Sequence, residues 1–126
     1  MKIAYLDCFS GISGDMFLGA LIDSGLSFEK LAKHLHSLPV TGYRLKIEKE
    51  ARNQILGTRF VVIAEKGDQP HRNLQAVREI IDEGCFDESV KNKSIEIFEN
   101  IARVEGAVHG LPPEEVHFHE MDLFRR

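Results

Sequence analysis

Tyr43-Arg44-Leu45-Lys46-Ile47-Glu48-Lys49-Glu50 and Ile55-Leu56-Gly57-Thr58-Arg59-Phe60-Val61-Val62-Ile63-Ala64-Glu65 are the stretches that decide the fold. The first alternates Tyr, Leu and Ile with Arg, Lys and Glu, which is the period of a half-buried strand. The second is richest in β-branched and aromatic residues at positions 60–63, the residue types that suit a pleated surface. Arg52 and Asn53 lie between them at the expected turn, so the two stretches are predicted to pair as an antiparallel hairpin.

Helical patterns flank the hairpin on both sides. Residues 15–24 carry Met16, Phe17, Ala20, Leu21 and Ile22, and Gly25 stands where a left-handed C-cap is wanted. Ser27 offers a hydroxyl N-cap to a second helix with Phe28, Leu31, Ala32, Leu35 and Leu38 at helical spacing, stopped by Pro39. After the hairpin, residues 73–83 place Leu74, Val77, Ile80 and Ile81 on one face behind an Asn73 cap. The longest helix, 87–109, carries Val90, Ile97, Phe98, Ile101, Val104 and Val108 as its apolar stripe and ends at Gly110 and Pro112. Short strands are expected at each end, over 2–7 and 115–119. The order of strand, two helices, strand pair, two helices and strand predicts an α+β fold. It is a ferredoxin-like split β-α-β with doubled helices packed on a mostly antiparallel four-stranded sheet.

A chain of 126 residues can bury one sizeable core without staples. Hydrophobic and charged fractions of 43% and 29% are those of a globular domain. A net charge of -4 argues against a nucleic-acid platform, which needs a basic face. No apolar run reaches the roughly 20 residues that span a bilayer, and the N-terminus lacks the charged head and apolar core of a leader. Cys8 and Cys85 fit no CxxC pattern and read as thiols of a reducing compartment. The expected location is cytoplasmic, with neither nucleic acid nor membrane as partner.

Three constellations can carry chemistry. In the first, a strand ends in Asp7 and leads through Cys8-Phe9-Ser10-Gly11-Ile12-Ser13-Gly14 into a helix that begins near Asp15. Helix N-terminal amides favour an anion such as phosphate, and glycines allow close approach of the backbone. No recognised phosphate-loop spacing is present, so a tight structural turn is the competing reading, with Asp15 only complementing the helix dipole. The second is His117-Phe118-His119-Glu120. On a strand the two imidazoles share a face, and with a carboxylate they suit nickel, copper, zinc or iron. An exposed histidine pair on an edge strand is the alternative. In a ferredoxin-like sheet the first and last strands are neighbours, which would bring Asp7 to this cluster. The third is His71-Arg72-Asn73, where Asn73 caps a helix, His71 could join a metal site and Arg72 could hold a phosphate. His34, His36 and His109 read as surface residues.

Taken together, these stretches resemble the LarC nickel-insertion family. Residues 5–21, Tyr5-Leu6-Asp7-Cys8-Phe9-Ser10-Gly11-Ile12-Ser13-Gly14-Asp15-Met16-Phe17-Leu18-Gly19-Ala20-Leu21, are similar to that family's opening. His71-Arg72-Asn73-Leu74 is similar to its H-R-x-L step, and Val108-His109-Gly110 with Val116-His117-Phe118-His119-Glu120 to its V-H-G and V-H-F-H-E runs. The resemblance covers residues 1–120 in order.

It implies a nickel chelatase that inserts Ni(II) into a pyridinium bisthiocarboxylate mononucleotide, using CTP with Mg or Mn in a C-terminal domain. It makes Asp7, His71, His117, His119 and Glu120 the expected metal contacts, and Ser10, Gly11, Ser13, Gly14 and Asp15 the cradle of the mononucleotide. Residues 65–70 lack the histidine-rich insertion of many members. Residues 121–126 leave the family pattern, so the expectation is an N-terminal domain over 1–120 with a divergent tail and no nucleotide domain. Such a piece is expected to be a shortened product, inactive alone unless a separate C-terminal half is supplied, and open to homo-oligomerisation through exposed edges. Two rival functions are a nickel carrier or scaffold, and a hydrolase whose metal activates water against a small phosphoester.

Overall fold

In a computed structural model of the chain, residues 3–65 and 71–118 are described. The elements are α1 (Gly14–Asp23), α2 (Phe28–Leu35), β1 (Tyr43–Arg52), β2 (Ile55–Ala64), α3 (Leu74–Glu83), α4 (Glu88–His109) and a 3-10 turn at Pro113–Glu115. The class is α+β, as the sequence predicts. The described residues fall into two compact units, 3–32 with 43–65 and 33–42 with 71–118.

The first unit is built on the hairpin. β1 and β2 pair antiparallel from Tyr43 opposite Ala64 to Arg52 opposite Ile55, a two-stranded sheet. Its two-residue turn is Asn53-Gln54, with φ of 49° and 67°. Positive φ at both positions matches the twist of the strands, and asparagine tolerates it better than glutamine does. Lys49, Ile47 and Leu45 share a face with Thr58, Phe60 and Val62, and α1 packs there. Gly19 makes that packing possible, since a Cβ on it would lie 2.3 Å from the Thr58 carbonyl oxygen. Phe60 is buried beneath the helix, and the Phe28 ring meets it edge-on at 6.2 Å. The opposite face carries Arg44, Lys46, Glu48, Glu50 and Arg59 in exposed ion pairs, worth little individually.

The caps follow the sequence closely. α1 ends in a Schellman motif: Gly25, at φ 104°, donates to the Ile22 carbonyl, and Leu26 donates to that of Leu21. The Ser27 hydroxyl accepts from the Lys30 amide at 3.2 Å, and Asn73 Oδ1 accepts from the Ala76 amide at 2.9 Å. α4 stops at Gly110, which is left-handed at φ 68°.

The second unit packs α3, α4 and the 3-10 turn around Leu74, Ala102 and Val116, with Phe98 and Phe118 against them. Here the sequence-based core of α4 needs correction. Of its apolar stripe, Phe98 faces this core beside Ala102 and Gly106, whereas Val90, Ile97, Ile101, Val104 and Val108 are exposed. Small residues mark the buried side because α4 approaches its neighbours closely: a Cβ on Gly106 would lie 2.6 Å from the Leu111 carbonyl oxygen.

At the ends of the chain, residues 3–7 hold no regular structure. Ile3, Tyr5 and Leu6 lie exposed there. At the other end, Glu115 belongs to the 3-10 turn, and His117 forms a single antiparallel bridge with Asn73. No helix among the described residues is long and apolar enough to cross a membrane.

Candidate functional site

The loop singled out between residues 7 and 15 turns sharply at residues 8–11, where the Gly11 amide donates to the Cys8 carbonyl at 3.0 Å and Gly11 sits at φ 80°. Asp7, Ser10 and Gly11 are exposed. Ser13 occupies the N-cap of α1 but does not cap it. Its hydroxyl donates instead to the carboxylate of Asp15. The amides of the first turn therefore keep their usual demand for an acceptor. Gly14 needs no explanation from packing: a Cβ there would meet nothing within 4 Å, and the same holds for Gly11.

Ser13 and Asp15 open onto a cleft of about 680 Å³ within the first unit. Its other walls come from Asp23 at the far end of α1 and from the hairpin, including Arg52, Thr58 and Arg59. In the sequence Arg52 reads as part of a turn, and no local pattern singles out Arg59. Only the pairing of β1 with β2 brings both beside the loop. Glu50 pairs with both, 2.9 Å from Arg52 and 3.7 Å from Arg59.

Asp23 anchors the base of the cleft. Lys49 Nζ donates to its carboxylate at 2.6 Å, the Thr58 hydroxyl at 2.5 Å and the Thr58 amide at 2.7 Å. Bonding to Lys49 first, then to the Thr58 hydroxyl and amide, lowers the Asp23 carboxyl from its ordinary 3.8 to about 2. The stability this contributes is present above the ordinary value and is lost as pH falls from about 4 towards 2. Carboxyl carbon NMR is expected to show Asp23 titrating near the lower value, and Asp23→Asn to flatten the fall in stability below pH 4. Titration of Asp23 at its ordinary value would remove this account.

The histidine cluster is assembled differently from the sequence expectation. His117 pairs with Asn73, and the Phe118 amide donates to the Arg72 carbonyl at 3.0 Å. The H-R-N step and the H-F segment are thus side by side in the second unit. His71 and His117 are both exposed. His119 and Glu120 lie outside the described residues. Among the described residues, no three His, Cys, Asp or Glu side chains gather closely enough to hold an ion. Cys8 and Cys85 are free, exposed thiols.

Comparison with known proteins matches residues 4–124 to a family described as nickel insertion protein. The pyridinium-3,5-bisthiocarboxylic acid mononucleotide nickel insertion protein of Desulfitobacterium hafniense is 46% identical over 121 residues, which are 96% of this chain and 30% of that protein. Proteins of Geobacter sp. strain M21 and Syntrophobacter fumaroxidans, whose names assign nickel insertion provisionally, are 46% and 48% identical over 121 residues. Each alignment covers 96% of this chain and 31% of the relative. The chain thus spans about a third of the length of these curated relatives. No solved structure matches it significantly. With nearly its whole described length matched and close to half its residues identical to such relatives, the chain belongs to the nickel insertion protein family.

Proposed function

We propose that this chain forms the N-terminal part of a nickel insertion protein, a chelatase that loads Ni(II) into a pyridinium bisthiocarboxylate mononucleotide. The observation that carries this is the identity of 46% to relatives named for that insertion. In this reading Ni(II) and the mononucleotide are substrates. The cleft of the first unit takes the mononucleotide. Ser10, Gly11, Ser13, Gly14 and Asp15 cradle it through the open backbone at the start of α1. Arg52 and Arg59 supply cationic charge for its phosphate, which suits a guanidinium fork.

The nickel ion is assigned to His71, His117 and His119, with Glu120 as the carboxylate ligand or as the group that orients a histidine. The pairing of the His71-Arg72-Asn73 step with the His117-Phe118 segment supports this donor set. The four-stranded ferredoxin-like sheet belongs to the same proposal, as does a cytoplasmic location. CTP with Mg or Mn acts in the part of the longer relatives that this chain does not match, either continuous with it or supplied as a separate C-terminal half.

Calorimetric titration of the metal-free chain with Ni(II), beside a His117→Ala, His119→Ala variant, tests the metal assignment. Stoichiometric binding is expected, weakened at least about tenfold in the variant, since even groups behind the ligands typically cost that much. Equally weak binding by both chains would refute the histidine site.

A further inference from the structure

The cleft of the first unit is divided by charge. Arg52 and Arg59 belong to its hairpin wall, and Ser13 and Asp15 to the wall at the start of α1. On the hairpin side one carboxylate, that of Glu50, is shared by two guanidinium groups. Two positive charges against one negative leave that side cationic. The α1 side is the reverse. Ser13 stands at the N-cap, where a hydroxyl ordinarily accepts from the helix amides, yet its hydroxyl donates to the Asp15 carboxylate. The start of the helix thus already carries a negative charge. That charge complements the dipole which would otherwise favour a phosphate there.

A phosphate beside Asp15 would meet like charge, so the anionic end of a nucleotide belongs on the hairpin side. An ionised carboxylate takes donors: it is acceptor-only, with about four lone-pair positions on its two oxygens. The Ser13 hydroxyl, with its proton directed at Asp15, presents its own lone pairs to a further donor. A carboxylate beside a hydroxyl turned acceptor suits a group with two adjacent O–H donors. The 2′,3′-diol of a ribose is such a group, and an acidic side chain is what binds the ribose hydroxyl in dinucleotide-binding folds. In a 5′-mononucleotide the diol and the phosphate leave different ends of the sugar, so one molecule can address both walls. We infer that Asp15, with Ser13, binds the ribose hydroxyls of the mononucleotide and so sets its direction in the cleft, phosphate towards Arg52 and Arg59 and sugar towards the start of α1. This deepens the mononucleotide reading of the cleft and rests on it. Asp15 is then a specificity-determining residue that separates a ribonucleotide from its deoxy counterpart.

The probes are nicotinic acid mononucleotide, a pyridinium ribonucleotide without sulfur, and its 2′-deoxy counterpart, each titrated into the chain by heteronuclear NMR. The ribonucleotide is expected to bind at least about tenfold more tightly, the scale of one hydrogen bond to a charged group. Asp15→Ala should bring the ratio of the two affinities close to one by weakening the ribonucleotide alone. The deoxynucleotide, still bound, shows that the cleft of that variant is intact. Asp15→Asn, which keeps the size of the side chain, is read beside it. Arg52→Ala with Arg59→Ala should weaken both probes alike and preserve the ratio. A ratio near one in the unaltered chain would overturn the inference, as would a ratio that survives both Asp15 substitutions or an equal loss of both probes in the two variants. Binding that still requires the arginines would then leave the mononucleotide site standing. Absence of binding, or binding indifferent to the arginines, would remove that site and this inference together.

Discussion

Gly19→Val is expected to lower the stability of the first unit by about 3 kcal/mol, the upper end of what overpacking usually costs. A glycine inside a helix is ordinarily a weakness, and filling it with a better helix former returns up to about 1 kcal/mol. At Gly19 the opposite sign is expected, because the new Cβ would meet a carbonyl oxygen at 2.3 Å. That oxygen belongs to Thr58 within the β1–β2 ladder and cannot rotate away as a flexible side chain could. α1 must lift from the sheet, uncovering Phe60, which is 3% exposed. The shift would also move Ser13 and Asp15 relative to Arg52 and Arg59 and so reshape the cleft. Urea unfolding of Gly19→Ala and Gly19→Val measures the effect. Stabilisation by alanine, as at an exposed helical glycine, would show that α1 does not pack on β2 at this distance.

Leu74→Ala is expected to cost about 2–5 kcal/mol, the range for truncating a buried leucine. Leu74 is 7% exposed and sits between Ala102 and Val116, with Phe98 and Phe118 against the cluster. Val116 and Phe118 flank His117, so this cluster is what holds His117 in register with Asn73. The cavity left by the truncation should therefore loosen the proposed nickel site as well as the fold. Hydrogen exchange at the Phe118 amide, which donates to the Arg72 carbonyl, is expected to speed up beyond that in a Gln75→Ala control on the exposed side of α3. Unchanged exchange in Leu74→Ala would separate the histidine segment from this core.

The linkage between core and site runs through small residues in both units. Gly19 lets α1 touch the sheet, and Ala102 with Gly106 lets α4 touch the segment that carries His117. Such positions are quiet in a pattern of hydrophobicity, because their contribution lies in the space they leave empty. For the same reason the periodic reading of α4 chose the larger residues, Val90, Ile97, Ile101, Val104 and Val108, for the core. The structure exposes them and buries the neighbouring small ones.

What the sequence determined by itself is the local chemistry. Alternation set the two strands, and Ser27, Asn73, Gly25 and Gly110 set helix ends where their side chains or positive φ were needed. Its motifs were sufficient to indicate the family. These signals depend on residues within a few positions of one another, so a linear reading holds them. Tertiary structure alone decided which face of α4 is buried, that Arg52 and Arg59 share a cleft with Ser13 and Asp15, that Asp23 is held by Lys49 and Thr58, and that His117 pairs with Asn73. Each of these depends on the close approach of segments far apart in the chain. That approach is governed by the shape left between side chains, which periodicity does not record.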